Sequence, residues 1–297
     1  MLKFLSENKE LYSGLKALHN IYWRLVSNSW KLKRKDFGKK RSNFNYSIGI
    51  VTYVDRYEKF FKRLLINLVT IFPEVEFVIC VNGYYDKKIQ HAYLEKIKEF
   101  TGKFQNVKVI DFVQPQSLSK LWNLLILNSS NNKIFIFNDD IKIAPWFRSN
   151  LERSNILNEE VALINRSWSH FLISKSVIKK IGYFDQRFPA VGNEDQDYEC
   201  RLVFNNISTK SFTIYGLKNI IFKTTNFSYG KNIKIVNTKY VNANRLFFDS
   251  KWNIYNEQVE GSKFVEILDS FVLPKPGMET PIFYDLELLK PNGNIIK

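Results

Sequence analysis

Residues 133–143 read KIFIFNDDIKI, and the reading of this stretch decides the fold. Four apolar residues, Ile134 to Phe137, run together and then break into Asn138, Asp139 and Asp140 before isoleucine returns at Ile141 and Ile143. A short apolar run with β-branched and aromatic content fits a strand covered on both faces, as in parallel sheets. Open α/β sheets hold their ligands in the crevice beyond the carboxyl ends of such strands. Adjacent carboxylates there offer the hard oxygen ligands that Mg²⁺ or Mn²⁺ takes, and through the metal a diphosphate. The same three polar residues also read as an ordinary turn, since Asn and Asp are common turn residues.

Working outward toward the N-terminus, Ser47–Tyr53 (SIGIVTY), Glu76–Val81 (EFVICV) and Val107–Phe112 (VKVIDF) read as three further strands. Between them, Glu58–Phe72, His91–Phe100 and Leu118–Leu127 carry helical patterning, and Asn82-Gly83 is a turn signal. This regular alternation predicts an α/β fold: a mostly parallel sheet with helices on both faces. On the other side, Pro145 and Trp146 open a short polar helix. Val161–Arg166 and Phe171–Ser174 read as strands, Lys175–Ile181 as a helix, and Gly182–Gly192 as an aromatic loop with two glycines and Pro189. Glu194–Val203 is predicted helical, Phe212–Tyr215 and Ile220–Lys223 extended, and Tyr240–Trp252 helical. Four prolines from Pro274 to Pro291 predict an extended C-terminal tail wrapping the body. The expected organisation is a helical basic extension over 1–45, a central domain over 46–231, and a helical and extended segment over 232–297.

Composition narrows the partners. Lysine and arginine number 44 against 29 acidic residues, a net charge of +15, which favours anionic partners. In the N-terminal extension, Leu11, Leu15, Leu18, Tyr22 and Leu25 share one helical face, followed by the basic run KLKRKDFGKKR at 31–41. An amphipathic aromatic helix with a polybasic tail suits an anionic membrane surface; a helix packed on the main domain or on a second copy in a homo-oligomer, with a solvated linker, fits the same residues. No recognised nucleic-acid motif accompanies the charge, and no nucleic-acid partner is expected. Cys80 and Cys200 lack a neighbouring Cys or His, so two buried thiols in a reducing cytosol are expected. No stretch reaches the roughly 18 apolar residues of a membrane span, and no secretory leader is evident. The expected location is cytoplasmic, with peripheral attachment at the inner face of the membrane.

A second acidic cluster stands at Gly192-Asn193-Glu194-Asp195-Gln196-Asp197. Asn193 as N-cap, Gln196 three residues on, and acids in the first helical turn form a self-sufficient structural reading. A carboxylate at a helix start beneath an aromatic loop also suits a general base acting on a hydroxyl.

The order SIGIVTY, FVICVNGYYD, FIFNDDI and FLISKSVIKKIGYFDQRFPAVGNEDQDYECRL resembles the family 2 glycosyltransferases of the GT-A fold, in their bacterial surface-glycan form, over about residues 46 to 230. The last segment is the most specific. It holds a hydrophobic strand, a short helix ending at Gly182, the Phe184-Asp185 pair, a loop, then Glu194-Asp195-Gln196-Asp197 and Arg201. The resemblance implies an inverting transfer of a sugar from a nucleotide-diphosphate donor, a UDP-sugar first, to a hydroxyl of a glycan or lipid-linked acceptor. It places Asp140 on a divalent metal, Mn²⁺ or Mg²⁺, with Asn138 and Asp139 beside the sugar or ribose. Asp195, with Glu194 beside it, falls at the catalytic base. Thr52, Tyr53 and Asp55, the turn from Asn82 to Asp86, and Asn123 would border the nucleotide. Trp168, His170 and Asp197 are candidates for the acceptor side, and Arg245 and Lys251-Trp252 read as a solvated basic face or a closure over the diphosphate.

Two departures bear on these expectations. Val81, followed by Asn82, stands where the family often has the aspartate that reads uracil, and no histidine follows Asp195 where many GT-A enzymes place a late metal ligand. They keep a second reading open, a catalytically silent nucleotide- or glycan-binding module within a membrane-associated assembly.

Overall fold

A computed structural model describes residues 45–220, 231–252 and 295–296. The N-terminal extension and most of the C-terminal tail expected from the sequence lie outside them. The first strand, β1 (Tyr46–Thr52), pairs in parallel with β2 (Glu76–Val81) on one side and β4 (Lys133–Asn138) on the other. Beyond β2 lies β3 (Val107–Asp111), also parallel. Between these strands run helices α1 (Lys62–Ile71), α2 (Lys87–Thr101) and α3 (Leu118–Asn128). A single π-helical turn, Tyr57–Phe61, leads into α1. Asp86 caps α2 by accepting from the Lys88 and Ile89 amides, and Ser117 caps α3 through Lys120.

The apolar run at 134–137 is a strand buried on both faces, as its composition dictates. Phe135 and Phe137 face one core with Ile48, Ile50 and the apolar faces of α1 and α2. Ile134 and Ile136 face the other with Val78, Cys80 and the α3 residues Leu121, Trp122 and Leu125. Each fully buried side chain of this size contributes about 1.5–3 kcal/mol. Both cysteines are buried free thiols.

After β4 the chain enters β5 (Ile141–Ile143), then α4 (Phe147–Arg153), β6 (Val161–Ile164), β7 (Ser167–Ser174) and α5 (Lys175–Ile181). Then follow α6 (Glu194–Phe204), β8 (Lys210–Phe212), β9 (Leu217–Asn219), α7 (Lys231–Lys251) and β10 (Ile295–Ile296). The main sheet runs β10-β3-β2-β1-β4-β7-β6-β8. β7 is antiparallel to both β4 and β6, and β10 is antiparallel to β3. A separate ribbon joins β5 to β9. The first of the late strands therefore falls earlier than the sequence predicts, 210–212 rather than 212–215, and a further strand forms at 217–219; the extended segment expected at Ile220–Lys223 lies, beyond Ile220, outside the described residues. Gly216, with φ of +99°, turns the chain between the two strands and packs its Cα side against Phe147.

From β1 the strands progress outward in one direction to β2 and β3 and in the other to β4. The switch point lies between β1 and β4, where Val51 sits beside Asn138. Ligands of open α/β sheets bind at such a point. Asp139 and Asp140 stand just past it, where the chain leaves the main sheet for the ribbon, and the Ile220 amide donates to the Asp140 carbonyl at 2.7 Å. Among the described residues no helix is long and apolar enough to cross a membrane.

Candidate functional site

A cleft opens above the switch point, with about 980 Å³ of empty space when its open mouth is included. Tyr53 and Arg56 from the end of β1, and Asn138, Asp139 and Asp140 from the end of β4, form its floor. The turn after β2, Asn82 to Tyr85, and the loop before α3 form one wall, and Ala190 and Val191 form part of the other.

The two aspartates are not equivalent. Asp139 is buried, and Nε and Nη2 of Arg56 share its Oδ1 at 2.6 and 2.5 Å. Its Oδ2 accepts from the Thr52 hydroxyl at 2.7 Å, and that hydroxyl is paired with the Tyr93 hydroxyl at 2.9 Å. Burial raises the Asp139 carboxyl above its usual range, and the charge and hydrogen bonds of Arg56 pull it part of the way back. Arg56 is itself buried between the rings of Tyr53 and Phe60, 4.7 and 4.5 Å from their centroids. Burial would lower its pKa, but Asp139, Tyr53 and Asp140 more than reverse that. Asp140 keeps 39% of its side chain exposed, with one oxygen 3.2 Å from Arg56 Nη2. It is the open carboxylate of the pair.

The turn after β2 is fixed by Asn82. Its Oδ1 accepts from the Gly83 and Gln116 amides at 2.8 Å each, and its Nδ2 donates to the Gln116 carbonyl at 3.1 Å. Gly83 is needed here for close approach, since a Cβ would stand 2.2 Å from the Gln114 carbonyl. Asn82 therefore lines the cleft while its amide ties two loops together. Tyr85, 56% exposed, presents a ring at the same wall.

The second acidic cluster begins α6 at Glu194, three residues past the cleft wall at Val191, and neither Glu194 nor Asp195 is among the lining residues. Asn193 occupies the N-cap position in the left-handed region, at φ of +66°, but its side chain makes no capping bond and instead donates to Gln196 Oε1 at 2.5 Å. Glu194 is buried and accepts from the Gly192 amide at 2.5 Å. Burial first, and the neighbouring Asp195 charge second, push its carboxyl up to about 7. Asp195 is half-buried, accepts from the Gln196 amide at 2.9 Å, and is also raised by burial. The raised Glu194 carboxyl is suited to exchanging a proton near neutrality, and the half-buried, raised Asp195 beside it is a stronger base than an exposed aspartate.

Several expectations are corrected. Asn123 does not face the cleft: its amide is wholly buried and brackets the Phe184 backbone, donating to the carbonyl and accepting from the amide at 2.9 Å each. Thr52 lies behind the floor, supporting Asp139, and Asp55 and Asp86 are exposed outside the lining, Asp86 serving as the cap of α2. None of the acceptor-side candidates lines the cleft. Trp168 packs on Phe171 at 5.0 Å between ring centroids. His170 is buried opposite Phe137 in the β4–β7 pairing, and burial pushes it down to about 4, against the pull of Asp140. Asp197 is fully buried and paired with Arg201 and Lys251. Lys251 and Trp252 are neither solvated nor over the cleft; both are buried against Asp197. Arg245 is exposed and faces Asp249 at 3.8 Å.

Arg56 is the residue that sequence reasoning missed. Its only signal was its place, four residues beyond the end of β1.

Among the described residues no three His, Cys, Asp or Glu side chains cluster as a metal cage. Asp140 alone is open to a cation, because Asp139 is occupied by Arg56 and Thr52. One carboxylate completed by substrate phosphates and water is the ordinary way of binding Mg²⁺, so the residues fit a metal that arrives with its ligand.

No protein-family model and no curated protein sequence matches this chain. Solved structures overlap it loosely. The crystal structure of S. aureus TarS 1–349 is 16% identical, with a TM-score of 0.44 over 57% of this chain and 58% of that one. The same fragment in complex with UDP gives 16%, 0.41, 53% and 54%. GalNAc-T7 with UDP, GalNAc and Mn²⁺ gives 11%, 0.44, 76% and 55%. The chain thus spans less than two thirds of the length of each. Overlaps of this degree carry no argument about chemistry, which rests on the residues themselves.

Proposed function

We propose that the chain is an inverting glycosyltransferase that moves a sugar from a nucleotide-diphosphate donor to a hydroxyl of a glycan or lipid-linked acceptor in surface-polysaccharide synthesis. The observation that carries this reading is the cleft at the β1/β4 switch point. It joins the open carboxylate of Asp140 to the loop that runs directly into Glu194-Asp195.

In this reading the floor receives the diphosphate end of the donor. Asp140 would hold a divalent cation, which when bound neutralises charge on the departing diphosphate. Arg56 locks Asp139 in place and adds a fixed positive charge below the same position. Tyr53 and Tyr85 offer aromatic faces along the walls for the nucleoside. Asp195 accepts the proton of the acceptor hydroxyl as its oxygen bonds to the anomeric carbon and the bond from that carbon to the diphosphate oxygen breaks. The proton ends on Asp195 and the electron pair leaves on the diphosphate. Glu194 beside it keeps a carboxyl that exchanges protons near neutral pH. With the amide of Asn82 engaged in backbone contacts, no carboxylate among the described residues lines that wall to read a base, so shape and stacking carry more of the base selection.

The proposed working form is peripheral to the inner face of the membrane, through residues 1–45, of which 1–44 lie outside the described residues. The test is Asp195→Asn in the full chain. Turnover should fall by about 10²–10⁴-fold, while donor affinity measured by calorimetry stays within a few-fold. Near-native turnover by that variant would remove Asp195 from the base position.

A further inference from the structure

The loop between Gly182 and Asn193 is held from outside the sheet by a helix that the sequence sets in the C-terminal segment. α7 places Asn244 against one short stretch of that loop, 189–192: its Nδ2 donates to the carbonyls of Pro189 and Gly192 at 2.9 Å each and of Val191 at 3.3 Å. Gly192, at φ of +123°, lets the backbone present those carbonyls, and a Cβ there would stand 3.7 Å from Asn244 Nδ2. Two helical turns further, Lys251 is 0% exposed and bridges two carboxylates that are themselves fully buried. It reaches Asp185 at the start of the loop, at 2.9 Å, and Asp197 in the first turn of α6. Trp252 donates its indole N–H at 3.0 Å to Asp197 Oδ1, the oxygen that Lys251 also contacts, and Arg201 Nε donates to Oδ2 at 3.1 Å. Arg187 completes Asp185 at 2.7 Å. Phe188, Cys200, Phe248 and Trp252 form a small core of their own beneath this network.

We infer that α7 is a clamp on the site, in which Lys251 is a positioning residue for the Glu194-Asp195 turn and Asn244 is a positioning residue for the cleft wall at Ala190 and Val191. A single lysine ties the start of the loop to the helix that carries the acidic pair, so those two points cannot separate without exposing or unpairing a buried charge. Truncating one partner of a buried charged pair is strongly unfavourable, so the closed arrangement is stiff. Asn244 grips the part of the loop that lines the cleft rather than the part that starts α6. The two residues should therefore affect different steps: Lys251 the chemistry and Asn244 the binding of the donor. A residue with only a structural role would not divide its effects in this way.

The inference rests on the reading under Proposed function for its kinetic arm, and a second arm is independent of it. In the full chain, Lys251→Met, Lys251→Arg and Asn244→Ala are compared with the unmodified protein by amide hydrogen exchange over residues 183–199 and by steady-state transfer kinetics. Lys251→Met should speed exchange in that segment at least tenfold and lower kcat at least tenfold, with the donor dissociation constant within threefold. Lys251→Arg should recover most of both. Asn244→Ala, the milder change, should raise the donor dissociation constant more than it lowers kcat. Unchanged exchange in the methionine variant overturns the clamp, and so does unchanged kcat in a variant that folds. If the unmodified protein turns over no nucleotide sugar, the proposed function falls, and the exchange measurement still decides whether α7 holds the loop.

Discussion

Replacing Arg56 by methionine is the sharpest test of how the cleft floor is built. The substitution keeps an unbranched apolar side chain and removes the guanidinium, which lies over the rings of Tyr53 and Phe60 and contacts Asp139 through two nitrogens. Asp139 would then be a buried carboxylate with the Thr52 hydroxyl as its remaining polar support. Breaking a buried pair in this way costs about 3–5 kcal/mol. The carboxyl already sits above its ordinary value through burial. A group whose folded pKa is raised contributes most stability below its unfolded pKa and loses it as pH rises to the folded one. Removing Arg56 raises the folded value further and widens that window. The deficit of the variant should therefore be full at pH 7 and shrink as the solution approaches the ordinary aspartate value of about 3.9. Urea unfolding followed by tryptophan fluorescence at pH 7 and pH 5 measures it. Adding Asp139→Asn should restore all but about 1 kcal/mol of the loss. A loss below about 1 kcal/mol at pH 7, or no recovery in the double variant, would refute the pairing.

Glu194 gives a second pH signature. Its carboxyl moves from 4.5 to about 7 on folding, so stability should fall by about 3 kcal/mol as pH rises across that interval, and Glu194→Gln should flatten the fall in a denaturation series. Gly83→Ala should destabilise the turn by about 1–3 kcal/mol, because its methyl meets the Gln114 backbone at 2.2 Å; calorimetry should show a lower melting temperature and weaker nucleotide binding together.

Much of the frame was legible from residue order. The apolar runs at 47–52, 76–81 and 134–137 became β1, β2 and β4 because strands buried on both faces need continuous apolar sequence. An apolar run carries no direction, however, so the antiparallel placement of β7 against β4 could not be read from 167–174. The acidic pairs announced themselves, but their division of labour did not. Asp139 and Asp140 look alike in sequence, and what separates them is an arginine 83 residues away. Lys251 and Trp252 read as a solvated face, since their partners Asp185 and Asp197 lie 66 and 55 residues back. Asn123 was legible as a special position, but its purpose, pinning Phe184, depends on a loop 61 residues on.

The central claim is that this cleft binds a nucleotide-diphosphate sugar and releases the diphosphate. The most direct measurement is nucleoside-diphosphate release by the full chain across donors differing in base and sugar, with and without Mn²⁺, beside Asp140→Asn and Asp195→Asn. Release is expected from at least one donor, stimulated by the cation and lost in both variants, with donor binding retained in Asp195→Asn. No binding and no release from any donor in the panel would contradict it.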